Sequence, residues 1–311
     1  MPLYRHQLPQ LAGDIFLTDA GVETDLIFNH AIDIRAFAAH TLLPERHGRA
    51  ALEHYFDGFL KLADRLDVGF VLDTVTWKAH RHWADELGTD VQSLAEANRE
   101  AVAFIENLRN AAPNRKPLVL SATLGPRGDA YRPDVLIETA AAADYYTEQL
   151  GWLAPTDIDV ITGLTFNQSS EAAGLVRACE AVALPAVVSF TTETDGRLPN
   201  GETLQAAIES VDEVTNGGAA YFMVNCAHPD HFADVLTDAG WARRIRGLRC
   251  NASRCSHAEL DEAEELDDGN PGELAAAYAD LRDRLPWLNV FGACCGADLR
   301  HVTAIGTKLA A

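Results

Sequence analysis

The chain has 311 residues, 48% of them hydrophobic, and a formal net charge of −21. That apolar share supports a sizeable core and excludes global disorder, and the acidic balance argues against nucleic acid, whose phosphates are bound through basic patches. No apolar run approaches the ~20 residues of a membrane span, and the opening MPLYRHQLPQLAGD lacks the charged-then-apolar pattern of a signal peptide, so a soluble, cytoplasmic protein with no membrane partner is expected.

Eight short apolar, β-rich runs recur along the chain: Ile15–Asp19, Phe70–Val75, Leu118–Thr123, Ile158–Gly163, Ala186–Thr191, Tyr221–Cys226, Ile245–Cys250 and Leu288–Ala293. Stretches with helical spacing lie between them. They are Ala50–Leu66, Val91–Asn110, Asp134–Leu153, Ser170–Ala183, Thr203–Asn216, Pro229–Ala239 and Gly272–Leu285. Glu259–Gly269 is acidic and reads as a solvated loop or helix. Strands alternating with helices favour a parallel sheet covered on its faces. Eight such units without an intervening linker predict an α/β fold, a single-domain (β/α)8 TIM-type barrel spanning 1–311, with its site at the C-terminal ends of the strands. A doubly wound open sheet is the alternative.

Those strand ends carry polar or reactive residues: Asp19, Asp73-Thr74, Ser121 to Thr123, Thr165 and Asn167, Ser189, Asn225-Cys226, Cys250-Asn251 and Cys294-Cys295. The six cysteines (Cys179, Cys226, Cys250, Cys255, Cys294, Cys295) sit in a chain too long to need a disulfide framework. Adjacent thiols at a strand end would point to opposite faces of a pleat. Gly296 permits the sharp turn that would let both face one point. In a barrel, Cys226 could join them, and three thiolates with an open fourth position describe a zinc site able to accept a substrate thiol. The opposing reading is that these are buried core cysteines. Cys250, Cys255 and His257 form a much weaker C-x4-C-x-H pattern, and Cys179 reads as core.

Asn225-Cys226 after an apolar strand, followed by Gly292-Ala293-Cys294-Cys295-Gly296, resembles the homocysteine S-methyltransferase family. Leu17 to Leu26 is similar to that family's opening motif, Ser121 to Gly128 to its Gly-Ser-x-Gly-Pro loop, and Ser189 through Gly201 to its fifth-strand segment. The resemblance covers nearly the whole chain. It implies a (β/α)8 barrel, Zn2+ held by Cys226, Cys294 and Cys295, and methyl transfer to a thiol. Its small-molecule partners would be a thiol acceptor, homocysteine, and a sulfonium donor, S-methylmethionine or S-adenosylmethionine, giving methionine. Asp19, Thr165, Glu171, Asn225 and Asn251 are then the candidate acceptor-binding residues.

Three departures bear on the substrate. Leu164 replaces a glutamate that in the family holds the amino group of homocysteine, and leucine cannot balance an ammonium. Asp19 or another acid has to compensate, or the acceptor is a different small thiol. Val75-Thr76-Trp77-Lys78 replaces the usual Asn-Thr-Tyr-Gln and makes Trp77 a candidate for donor binding through its π face, against the simpler expectation of a packed tryptophan. Arg249-Cys250-Asn251 replaces Tyr-Pro-Asn. Two other functions stay open: a zinc-dependent lyase or hydrolase that activates water, and a non-catalytic zinc- or thiol-sensing homologue.

Overall fold

A computed structural model of the chain describes residues 1–113, 115–132 and 135–310. Eight strands run in chain order: β1 (Phe16–Leu17), β2 (Gly69–Asp73), β3 (Leu118–Leu124), β4 (Val160–Phe166), β5 (Ala186–Phe190), β6 (Ala219–Asn225), β7 (Ile245–Cys250) and β8 (Val290–Ala293). Each pairs in parallel with the next. Phe16 opposite Val290 and Leu17 opposite Phe291 close the ring. The result is a (β/α)8 barrel, as the alternation of runs predicts. The strands are short and almost wholly buried, which is why they read as continuous apolar runs.

The covering helices are α1 (Arg46–Leu66), α2 (Val91–Ala111), α3 (Thr139–Leu153), α4 (Ser169–Ala181), α5 (Leu204–Thr215), α6 (Pro229–Phe232), α7 (Pro271–Arg284) and α8 (Leu299–Leu309). Their starts are marked by side chains that accept the otherwise unpaired first amides. Asp90 caps α2, Thr203 caps α5, Asn270 caps α7 with Pro271 in the first turn, and Asp298 caps α8. Two expected helices differ. The one expected over Pro229–Ala239 is a single turn, Pro229–Phe232, after which the backbone passes into turns over 233–235. The one expected from Asp134 begins at Thr139, and Asp134 itself lies outside the described residues. The acidic stretch after β7 forms a short helix, His257–Asp261, followed by irregular backbone. Among the described residues no helix is long and apolar enough to cross a membrane.

The inside of the barrel changes character along its axis. Phe16, Val71, Val119, Val160, Val187, Tyr221, Met223 and Val290 fill its N-terminal half, plugged by Leu8 from the first residues of the chain. Side chains alternate along a strand, so residue i + 2 points the same way one step nearer the C-terminal mouth. That step replaces Val71 by Asp73, Val119 by Ser121, Val187 by Ser189, Met223 by Asn225 and Gly247 by Arg249. An apolar floor therefore passes directly into a polar site. Gly292 is required where β8 meets β1: a Cβ there would collide with Thr18 Oγ1 and stand 2.7 Å from the Asp19 carbonyl.

Candidate functional site

Three cysteines meet at the C-terminal mouth. β8 ends at Ala293, so Cys294 and Cys295 lie just beyond it in a turn rather than on the strand itself. Gly296 makes that turn with φ of +76°, and its amide donates to Thr24 Oγ1 (3.2 Å). Cys294 N donates to the Cys250 carbonyl (2.8 Å) and Ala252 N to the Cys295 carbonyl (3.1 Å), which ties the turn to the end of β7. The ligand atoms of Cys226, Cys294 and Cys295 lie within 4.8 Å of one another. Among the described residues this is the one grouping of three or more histidine, cysteine or acidic side chains close enough to hold a metal ion. Cys226 and Cys294 are joined as a disulfide, and the free Cys295 Sγ is 3.8 Å from Cys226 Sγ.

The backbone that presents Cys226 is held in an uncommon conformation. Cys226 has φ of +52° and Thr165, across the barrel mouth, has φ of +64°. For a β-branched residue the left-handed region costs roughly 1–3 kcal/mol and persists only where neighbours enforce it. Asn225 enforces it here. Its Oδ1 accepts from Thr165 N (3.0 Å) and Ser189 Oγ (2.6 Å), and its Nδ2 donates to Thr165 Oγ1 (2.8 Å). The β4–β5 register shifts between Gly163 and Phe166, at the same place. The Cys226 carbonyl accepts from Thr191 Oγ1 (3.3 Å) and meets His257 Nε2 (2.5 Å). His257 Nδ1 lies 3.1 Å from Glu193, and its ring packs 4.2 Å from that of Tyr131.

Beneath the cysteines is an inner cavity of about 90 Å³, lined by Asp19, Glu23, Asp73, Leu164, Thr165, Asn225 and Arg249 among others. Arg249, from β7, is buried and donates to Asp19 Oδ1 (2.5 Å) and Asp73 Oδ2 (2.5 Å). Tyr55 OH donates to the second Asp19 oxygen (3.3 Å). Burial pushes the Asp19 carboxyl up to about 6 even with Arg249 pulling it down and Asp73 adding to the rise. Burial raises Asp73 in the same way. Burial draws Arg249 toward losing its proton, but Asp19 and Asp73 outweigh that and keep it charged. Glu23 is pushed up to about 7, chiefly by burial. Burial, with Glu23 adding to it, lifts the Cys295 thiol to about 12.

An outer chamber of about 500 Å³ adjoins this cavity. The two share Thr24, Phe37, Trp77, Tyr131 and Cys295 on their walls. Trp77 is anchored by its Nε1, which donates to the Leu164 carbonyl (3.1 Å). Lys78 Nζ sits 4.1 Å over the Trp83 ring and donates to the Ala36 carbonyl (2.9 Å), so that aromatic face is already occupied.

The residues expected to bind the acceptor do not all fall in one place. Asp19, Thr165 and Asn225 line the inner cavity. Asn251 lines the outer chamber instead, with a buried Oδ1 that has no hydrogen-bond partner among the described residues. Glu171 lines neither space: its carboxylate accepts from Tyr146 OH (2.8 Å) and Arg127 N (2.7 Å) behind β4. Trp77 borders both. The Cys250, Cys255 and His257 pattern does not converge: Cys250 is buried, Cys255 faces Asp267 (3.9 Å) and His257 turns to the Cys226 carbonyl. The sequence reading did not identify Glu23 or the Arg249 ion triad as parts of the site. The i + 2 relation of Asp73 to Val71 and of Arg249 to Gly247 is a signal that could have placed the triad inside the barrel.

A model of the homocysteine S-methyltransferase family matches residues 16–309. No curated protein sequence matches the chain. The homocysteine methyltransferase MmuM from Escherichia coli, in the crystal structure of its oxidized form, is 16% identical over 96% of this chain and 99% of its own, with a TM-score of 0.77. The structure of its metallated form is 16% identical over 95% of this chain and 96% of its own, with a TM-score of 0.75. At that identity the likeness is one of fold.

Proposed function

The chain belongs to the homocysteine S-methyltransferase family, and on that premise we propose that it moves a methyl group from a sulfonium donor to the thiol of homocysteine, with zinc held by Cys226, Cys294 and Cys295. The observation that carries this reading is the convergence of three cysteine ligand atoms within 4.8 Å beside two connected cavities. One pair of the donor set already stands at the spacing the ion needs. Two thiolates of a tetrahedral zinc, with bonds of ~2.3 Å, stand about 3.8 Å apart, and Cys226 Sγ and Cys295 Sγ are separated by 3.8 Å. Without a metal, burial keeps Cys295 a neutral thiol, so that sulphur needs a bound cation to act as a thiolate. Loading also requires the Cys226–Cys294 disulfide in its reduced, dithiol form.

Zinc bound there would supply the loss of the acceptor thiol's proton at neutral pH. The chain's own residues do the rest. Asn225, by holding Thr165 and preceding Cys226, fixes one wall of the inner cavity against the sulphurs. That cavity takes the acceptor and excludes bulk water, as its small volume and buried walls suit. The outer chamber takes the donor. Its volume accommodates S-methylmethionine or S-adenosylmethionine. Trp77, on the shared wall, offers an aromatic face to the sulfonium in competition with Lys78 Nζ, 6.0 Å from its ring centroid, and the unpaired Asn251 Oδ1 offers a hydrogen-bond acceptor to the donor's polar end. The products are methionine and the demethylated donor.

The test is direct. Reduced, zinc-loaded protein is incubated with L-homocysteine and methyl-labelled S-methylmethionine or, separately, S-adenosylmethionine. Label recovered in methionine supports the reading, and none from either donor refutes it. Alanine at Cys226, Cys294 or Cys295 should each abolish stoichiometric zinc binding; a variant that keeps its zinc excludes that cysteine as a ligand.

A further inference from the structure

The inner cavity holds three carboxylates, Asp19, Asp73 and Glu23, and one guanidinium, Arg249. Arg249 is shared between Asp19 and Asp73 at 2.5 Å each, and Tyr55 takes up the other oxygen of Asp19. The acid expected from the sequence to receive an ammonium is therefore already matched to a cation. Glu23 is placed differently. It projects from the single helical turn Val22–Thr24, directly after the chain leaves β1. Its carboxylate meets its own backbone amide, and among the described residues no cation stands within ion-pair distance of it, Arg249 and Lys78 acting on it only from further away. It shares the small cavity with all three cysteines, and it is absent from the walls of the outer chamber. Leu164 lines the same cavity and has no polar side-chain atom to offer. A carboxylate on the cavity wall without an ion-pair partner among the described residues, beside the sulphur cluster, is complementary to a cation that arrives with the substrate.

We propose that Glu23 is the specificity-determining residue for the acceptor: its carboxylate receives the acceptor's ammonium and so selects a thiol that carries a primary amine. This rests on the reading of the cysteine cluster as the acceptor's sulphur site. It explains how a cavity can lack a carboxylate at position 164 and still bind an amino-thiol. The compensating acid comes from the β1 loop rather than from the end of β4. Asp19 and Asp73 then share the single guanidinium of Arg249 and form the floor of the cavity, with Asp73 Oδ1 left without a hydrogen-bond partner among the described residues.

The experiment compares L-homocysteine with its deamino analogue 4-sulfanylbutanoate. The zinc-loaded wild type and the isosteric Glu23→Gln variant are titrated with each thiol by calorimetry, and methyl transfer from S-methylmethionine is followed in parallel. Removing one charge-assisted hydrogen bond corresponds to roughly a 10- to 100-fold change in affinity. The wild type should prefer homocysteine by that factor, and the preference should collapse toward unity in Glu23→Gln, with 4-sulfanylbutanoate bound as before to within about twofold. A Glu23→Asp variant should recover part of the preference, which a purely structural role would not produce. A preference unchanged by Glu23→Gln, or equal losses for both thiols, overturns the inference while leaving methyl transfer by the wild type intact. A raised KM for the donor with unchanged acceptor discrimination also overturns it, and assigns Glu23 to the sulfonium. If the wild type methylates neither thiol, the underlying reading fails and this inference with it.

Discussion

Replacing Arg249 by methionine would remove the one cationic side chain that the described residues place on the inner cavity's wall, and would leave Asp19 and Asp73 buried beside each other without the ion-pair partner they share. Methionine roughly keeps the aliphatic volume, so the loss is electrostatic. Removing one partner of a buried ion pair costs on the order of 3–5 kcal/mol, because an uncompensated charge remains behind. With an unfolding entropy of about 2.1 cal/mol/K per residue, that corresponds to a fall in Tm of roughly 5–8 °C for a chain of this size. The sign of the pH dependence follows from the carboxyls. Asp19 is raised from 3.8 to about 6 in the folded protein. Between those values the native state holds a proton that the unfolded chain has released, so this group's contribution falls as pH rises through that window. Without Arg249 the native carboxyls bind protons more tightly still, and the window extends upward. The gap in Tm between wild type and Arg249→Met should therefore be widest at pH 7 and narrower at pH 5. Thermal unfolding followed by circular dichroism at the two pH values measures it. Adding Asp73→Asn to the variant should return part of the loss at pH 7. A gap under about 1.5 °C, or one equal at both pH values, would refute the assignment of Arg249 as the counter-ion of both acids.

Two further substitutions probe how the site is held. Asn225→Ala frees Thr165 from its left-handed conformation and leaves the Thr165 amide and hydroxyl without their partner. A loss of about 1–3 kcal/mol and a fall in methyl transfer of roughly tenfold or more are expected; a turnover equal to wild type would show that the position of Cys226 does not depend on this clamp. Gly292→Ala places a methyl against Thr18 Oγ1 and the Asp19 carbonyl at the β1–β8 seam. It should cost about 1–3 kcal/mol and speed amide exchange at Phe16 and Thr18, whose N–H groups donate to Asn289 and Phe291; unchanged exchange there would mean that the seam accommodates the side chain.

All eight strands were legible in the sequence because parallel barrel strands are buried on both faces and stand out as apolar runs between amphipathic helices. Their chain order then implied the ring. The cysteine turn was legible because two thiols side by side, followed by Gly296, have little purpose in a plain strand. What sequence could not supply was direction in space. Glu171 follows β4 as expected but turns outward to Tyr146 and Arg127. Asn251 follows β7 but opens on the outer chamber. The helix after β6 stops at Phe232, well short of the apolar pattern that suggested it.

By itself, then, the chain determined its barrel and the polar half of its interior, because these depend on local periodicity and on residue type at strand ends; the set of three cysteines came from the resemblance of Asn225-Cys226 and Cys294-Cys295-Gly296 to the family's motifs. Only the tertiary structure decided which charges meet. Arg249 lies 230 positions from Asp19 and 176 from Asp73, and no local pattern says that the guanidinium is shared by both acids while Glu23, four residues beyond Asp19, has no ion-pair partner among the described residues. Electrostatic pairing depends on distance and burial across the closed ring, and those are fixed only when β1, β2 and β7 stand around the same cavity.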